Sequence, residues 1–123
     1  MSEGGWIGVD LDGTLAHYEE WKGHLHIGAP IPLMVERVRL WLRDGYEVRV
    51  FTARVCESKP QDVADGVCPI VNVIRAWCLE HIGDELPVTN IKDYAMLELW
   101  DDRVVQVRPN TGEPVGESTR GLR

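Results

Sequence analysis

The order in which apolar runs follow one another is the tightest constraint this chain places on its fold. Trp6-Ile7-Gly8-Val9-Asp10 is a short run rich in β-formers that stops at an Asp-Gly turn, and it reads as a fully buried strand. A polar stretch dotted with aromatics follows over residues 14–28, after which Pro30 and Pro32 mark a helix start. Leu33, Val35, Val38, Leu40, Trp41 and Leu42 supply its apolar face, and Asp44-Gly45 stops it. Residues 47–52 alternate and read as a second strand, 53–69 as a long polar connection, and 70–82 as a second amphipathic helix stopped by Gly83. Residues 86–89, 96–100 and 104–107 read as three further short strands. Strand, helix, strand, helix, strand predicts an α/β fold, a Rossmann-like, mainly parallel sheet flanked by helices. Residues 1–108 are expected to form one domain and 109–123 a loose tail rich in Pro, Gly, Ser and Thr.

Composition narrows the class. The 123 residues carry 20 acidic and 13 basic side chains, a formal net charge of −7. That balance disfavours a general nucleic-acid binder, which neutralises phosphates with Lys/Arg-rich surface. A focused basic pocket remains open, since ten of the thirteen basic residues are Arg. No apolar run approaches the roughly 18 residues a membrane span needs. Met1-Ser2-Glu3-Gly4-Gly5 lacks the basic and apolar regions of a secretory signal, so a cytoplasmic location and no membrane partner are expected. Cys56, Cys68 and Cys78 are odd in number and widely spaced, which suits buried free thiols better than a disulfide framework. A zinc reading of Cys78-x-x-His81 lacks an accompanying C-x-x-C pair.

In an open parallel sheet the ligand lies outside the carboxyl ends of the strands. Those ends hold Asp10-Leu11-Asp12, Thr52-Ala53-Arg54 and Asp101-Asp102-Arg103. Residues two apart on a strand share a side, so Asp10 and Asp12 should both lean toward one reacting centre. Gly13 permits a tight turn and close backbone approach to a ligand. Two carboxylates at one centre repel each other and any anionic ligand, which calls for a cation, and Mg2+ prefers oxygen ligands of this kind. A calcium-loop reading fails, because Leu15 and Trp21 stand where that loop needs Gly and Glu.

Asp10-Leu11-Asp12-Gly13-Thr14-Leu15 resembles the nucleophile motif of the haloacid dehalogenase-like (HAD-like) phosphohydrolase superfamily. Thr52 after residues 48–51, Lys92 ahead of the last motif, and Asp101-Asp102 after residues 96–100 match its remaining motifs in order. The likeness covers about residues 6–107 and implies an HAD-like core. It implies that Asp10 is a nucleophile forming an aspartyl-phosphate and Asp12 a general acid/base. Gly13, Thr52, Ala53 and Lys92 would surround the phosphoryl group. Mg2+ would be held by the Asp10 carboxylate, the Asp12 carbonyl and Asp101, with Asp102 bound directly or through water. The second Asp favours phosphate transfer over carbon–halogen cleavage. Arg54, two residues past Thr52, would either bind a second anionic group of the substrate or stand exposed. Asp93 departs from the Pro common after the family's Lys, and Trp100 is unusually bulky and would wall the site.

Only 39 residues separate Asp12 from Thr52, and 39 separate Thr52 from Lys92. Residues 14–30 therefore suit a flap hairpin rather than a cap domain, and 54–69 a substrate-contacting loop. A capless site is open to large substrates or is closed by a second copy of the chain. The expected activity is a Mg2+-dependent phosphatase for a small phosphorylated metabolite or nucleotide, with Tyr18 and Trp21 either stacking on a base or sugar or simply packing. Polynucleotide ends are the disfavoured substrate. The alternative from another class is a non-catalytic, phospholigand-binding regulatory module.

Overall fold

In a computed structural model the described residues are 4–23, 25–56 and 69–118. Four strands form one parallel sheet: β1 (Trp6–Asp10), β2 (Glu47–Phe51), β3 (Val88–Thr89) and β4 (Met96–Trp100), in the order β3-β2-β1-β4. Helix α1 (Pro32–Arg43) connects β1 to β2, and α2 (Pro69–His81) lies between β2 and β3. This is the α/β fold anticipated above, with no cap among the described residues. No described helix is long and apolar enough to cross a membrane.

β1 is central because it is apolar on both faces. It pairs with β2 from Trp6↔Glu47 to Asp10↔Phe51, and with β4 from Ile7↔Glu98 to Val9↔Trp100. Ile7 and Val9 join Val48 and Val50 in one buried cluster with Met34, Val35 and Val38 of α1 and Ile70, Ile74 and Cys78 of α2. On the other face Trp6 is fully buried, stacked near Phe51 and roofed by the Arg49 guanidinium 4.5 Å from its ring centroid. Gly8 makes room there, since a Cβ at that position would stand 3.1 Å from the Trp6 ring and 3.2 Å from Leu99.

Proline fixes φ near its helical value and has no N–H to lose in a first turn, and Pro32 opens α1 accordingly. The helix closes with Gly45 at φ +90°, a conformation glycine adopts without a Cβ penalty. Burial raises the Cys78 thiol to about 11, in keeping with an inert core cysteine. The Cys56 side chain and Cys68 lie outside the described residues, as does 57–68, most of the expected substrate-contacting loop.

Two expectations are corrected. Residues 104–107 do not extend the sheet: Val107 makes an isolated antiparallel bridge with Pro114, and the Arg108 and Val115 N–H groups donate to Glu113 and Gln106 carbonyls. Pairing across a turn at Asn110 (φ 65°) thus satisfies backbone that β-propensity alone assigned to a strand, and draws part of the expected loose tail into a hairpin. Trp100 does not wall the site. Val9, its register partner, faces the helices, and Trp100 packs on Trp41 of α1 with ring centroids 5.1 Å apart.

Candidate functional site

The carboxyl ends of β1, β2 and β4 open onto a cleft of about 660 Å3. It is lined by Asp10, Asp12, Thr52, Ala53, Arg54, Asp101, Asp102 and Arg103, with Tyr18, Trp21 and Phe51. Parallel pairing causes this convergence: three strands running the same way end on the same edge.

Asp10, Asp101 and Asp102 form its acidic half. One carboxylate oxygen from each lies within 4.8 Å of the other two. Burial is the largest cause of a pKa of about 7 for Asp10, followed by the charge of Asp101 and a hydrogen bond with Asp102. Thr14 ties the β1 turn to the β4 end, its hydroxyl 3.5 Å from Asp10 and 3.4 Å from Asp102 and accepting from the Asp102 N–H at 3.1 Å. Gly13 has φ +87°, and a Cβ there would fall 2.3 Å from Asp102 Oδ2. Asp102 therefore approaches through the space glycine leaves. Asp101 is fixed from the other side, accepting the Arg103 N–H at 2.8 Å.

The donor set fits a small hard cation. All three side chains offer oxygen ligands, and their proximity, with Asp10 and Asp101 partly buried, disfavours three simultaneous negative charges without a counter-ion.

Asp12 does not join the cluster. The chain leaves the sheet at Asp10 in a tight turn, with the Leu15 and Ala16 N–H groups donating to Leu11 O at 3.0 and 2.8 Å. Arg54 donates to Asp12 from Nε and Nη2, both at 2.8 Å. The alternation rule thus places both carboxylates in one cleft but misses their different partners, because strand geometry ends at Asp10. Arg54 is 4% exposed, which rules out the surface reading of this residue. It sits in a short 3-10 turn, Ala53–Cys56, where its N–H donates to Thr52 Oγ1 at 3.2 Å. Buried Thr52 closes β2, and its N–H donates to Thr89 O at 2.9 Å.

Lys92 stands apart. It is exposed in the connection between β3 and β4 and is not among the residues that line the cleft. Among the described residues, the cations that line the cleft are Arg54 and Arg103. The sequence places Arg103 at a strand end directly after the paired acids, but its pattern assigned that residue no role. Asp93, next to Lys92, is a structural carboxylate. It accepts the Trp6 indole N–H at 2.8 Å, which, ahead of the Ala95 N–H and the Arg49 charge, holds its pKa below the usual range.

Residues 14–23 and 25–30 form the flap. His17 N–H donates to Ala29 O at 2.7 Å, Ile31 N–H to Leu15 O at 2.9 Å, and Ala16 bridges Pro30 antiparallel. Gly28 allows this pairing, since a Cβ there would stand 2.0 Å from the His17 carbonyl oxygen. Half-exposed Trp21 lies over Arg54, whose guanidinium carbon is 5.1 Å from the ring centroid. Beneath the flap a second cavity of about 280 Å3 shares Asp12, Tyr18 and Arg54 with the first and adds the charged or polar residues His17, Glu19, Glu20, Lys22 and His26.

Among solved structures the chain is similar to the conserved protein coded by a locus of Bacteroides thetaiotaomicron. Identity is 23%, the match covers 84% of this chain and 79% of that one, and the TM-score is 0.54. The likeness shows the α/β fold. No family model matches the chain, and no curated protein does.

Proposed function

We propose that this chain is an HAD-like, Mg2+-dependent phosphatase that hydrolyses phosphate monoesters of small metabolites or nucleotides through an aspartyl-phosphate. One observation carries the reading: Asp10, Asp101 and Asp102 converge in the cleft that also holds Asp12 and Thr52. Mg2+ would be held by the Asp10 carboxylate, the Asp12 main-chain carbonyl and Asp101, with Asp102 direct or through water, and when bound it supplies positive charge against the phosphate.

An Asp10 carboxylate oxygen attacks phosphorus, and the bond from phosphorus to the leaving oxygen breaks. Asp12 delivers its proton to that oxygen as the alcohol departs. Asp12, now ionised, takes a proton from water as the water oxygen attacks the aspartyl-phosphate. Inorganic phosphate leaves and the Asp10 carboxylate is restored. Thr52, with its oxygen already accepting from the Arg54 N–H, directs its hydroxyl proton toward a phosphoryl oxygen. The role that the resemblance gives to Lys92 falls to a residue outside the cleft lining, so the mechanism assigns it no step.

The test is phosphate release from an aryl phosphate and a panel of phosphorylated metabolites, nucleotides and 3′-phosphorylated oligonucleotides, with and without Mg2+. Turnover that requires Mg2+ and vanishes in Asp10→Asn supports the reading. Activity retained in Asp10→Asn removes the covalent mechanism. Tight metal binding without turnover identifies a regulatory module, and turnover confined to the oligonucleotides identifies a polynucleotide-end enzyme.

A further inference from the structure

We propose that Arg54 is a positioning residue: clamped under Trp21 of the flap, it holds the Asp12 carboxylate where leaving-group protonation occurs. This rests on the phosphatase reading and adds a residue to it. Three observations carry it. The two Arg54–Asp12 hydrogen bonds, each 2.8 Å, form a parallel fork, so the guanidinium plane dictates the carboxylate plane. The Arg54 side chain is only 5% exposed, so it is a rigid support rather than a swinging surface cation. Asp12, Tyr18 and Arg54 line both cavities, which puts the acid on the border between the acidic cleft and the space under the flap. A phosphoester with its phosphate among the acids and its alcohol under the flap has its breaking P–O bond at that border.

Trp21 makes the support conditional on the flap. Its ring lies 5.1 Å from the guanidinium carbon, within cation–π range, although half of the residue is exposed. A seated flap therefore presses on the cation that aims the acid, and leaving-group binding and acid placement become one event. The sequence alone suggests Arg54 as a contact for a second substrate anion; the fork to Asp12 gives it a different task.

The experiment compares two substrates that differ in their need for a proton. The phenoxide released from phenyl phosphate is a basic, poor leaving group that needs a proton, whereas the 2,4-dinitrophenoxide released from 2,4-dinitrophenyl phosphate departs without one. Arg54→Lys keeps the charge and loses the fork. It is expected to lower kcat for phenyl phosphate by roughly 10- to 100-fold, part of what a general acid supplies, while 2,4-dinitrophenyl phosphate loses less than about threefold. Trp21→Leu should show the same selectivity at smaller amplitude. Because Trp21 is half-exposed, that variant carries the comparison if Arg54→Lys does not fold, as judged by circular dichroism and thermal melting. Equal losses on both substrates, or a raised KM with kcat intact, overturn the proposal and make Arg54 a substrate-binding residue. A wild-type chain that hydrolyses neither ester nor any phosphoester of the panel overturns the phosphatase reading and this inference with it. An active wild type without the selective loss overturns this inference alone.

Discussion

Gly13 is where a single missing Cβ decides the geometry of the acidic cluster. At φ +87° any other L-residue is strained, and a Cβ would stand 2.3 Å from Asp102 Oδ2. Gly13→Ala should cost about 1–3 kcal/mol from backbone strain and push Asp102 out of the cluster. Thermal melts with and without Mg2+ should show both a lower Tm and a reduced metal-induced rise. Asp10 predicts a pH dependence of opposite sign to the usual carboxylate. Its folded pKa of about 7 exceeds the ordinary Asp value of 3.8, so the fold holds this proton more tightly than the unfolded chain does. Its stabilising contribution is complete below the unfolded value and is lost as pH rises toward 7. In chelator, the Asp10 contribution to Tm should decline across that window. Asp10→Asn should remove that decline, and saturating Mg2+ should flatten it by competing with the proton.

Among elements, the flap and the β1 turn bear most directly on the site. Gly28 lets the two sides of the flap pair, and Gly28→Ala forces a methyl against the His17 carbonyl oxygen. Overpacking of that kind costs about 1–3 kcal/mol. Because the flap carries Trp21, KM for phosphoesters should rise together with the fall in Tm. On the opposite face, Trp6→Phe removes the indole donor that is the largest cause of the lowered Asp93 pKa. A carboxylate with a depressed folded pKa stabilises above its unfolded pKa and loses that contribution as pH falls through its folded value. The variant should therefore melt at lower temperature than wild type near neutrality, with the gap narrowing in strong acid. The strands and helices were legible because burial imposes periods of 2 and 3.6 on apolar residues, as in residues 47–51 and 32–43. Residues 104–107 were misread because a short valine-rich run carries β-propensity whether or not a sheet edge receives it.

At the scale of the whole molecule, part of the −7 charge is concentrated at one end of the sheet. A cation binding there opposes unfolding by mass action, by about 2.7 kcal/mol when its concentration is a hundred times Kd. Millimolar Mg2+ should raise Tm by several degrees, and an unchanged melt would count against the carboxylate site. Asp101→Asn keeps an oxygen for the Arg103 N–H while removing a charge beside Asp10. It should raise Tm in chelator and shrink the Mg2+ response.

The sequence by itself determined the α/β alternation, the strand ends that meet at the cleft, and the identity of the acids there, because each is written in local pattern and order. Tertiary structure decided the partners. Asp10 turned to Asp101 and Asp102, Asp12 to Arg54, Trp100 to Trp41, and Lys92 to solvent outside the cleft lining. Those choices depend on turn geometry past the strand ends and on contacts between residues as much as 92 positions apart, as with Asp10 and Asp102, where no local period reaches.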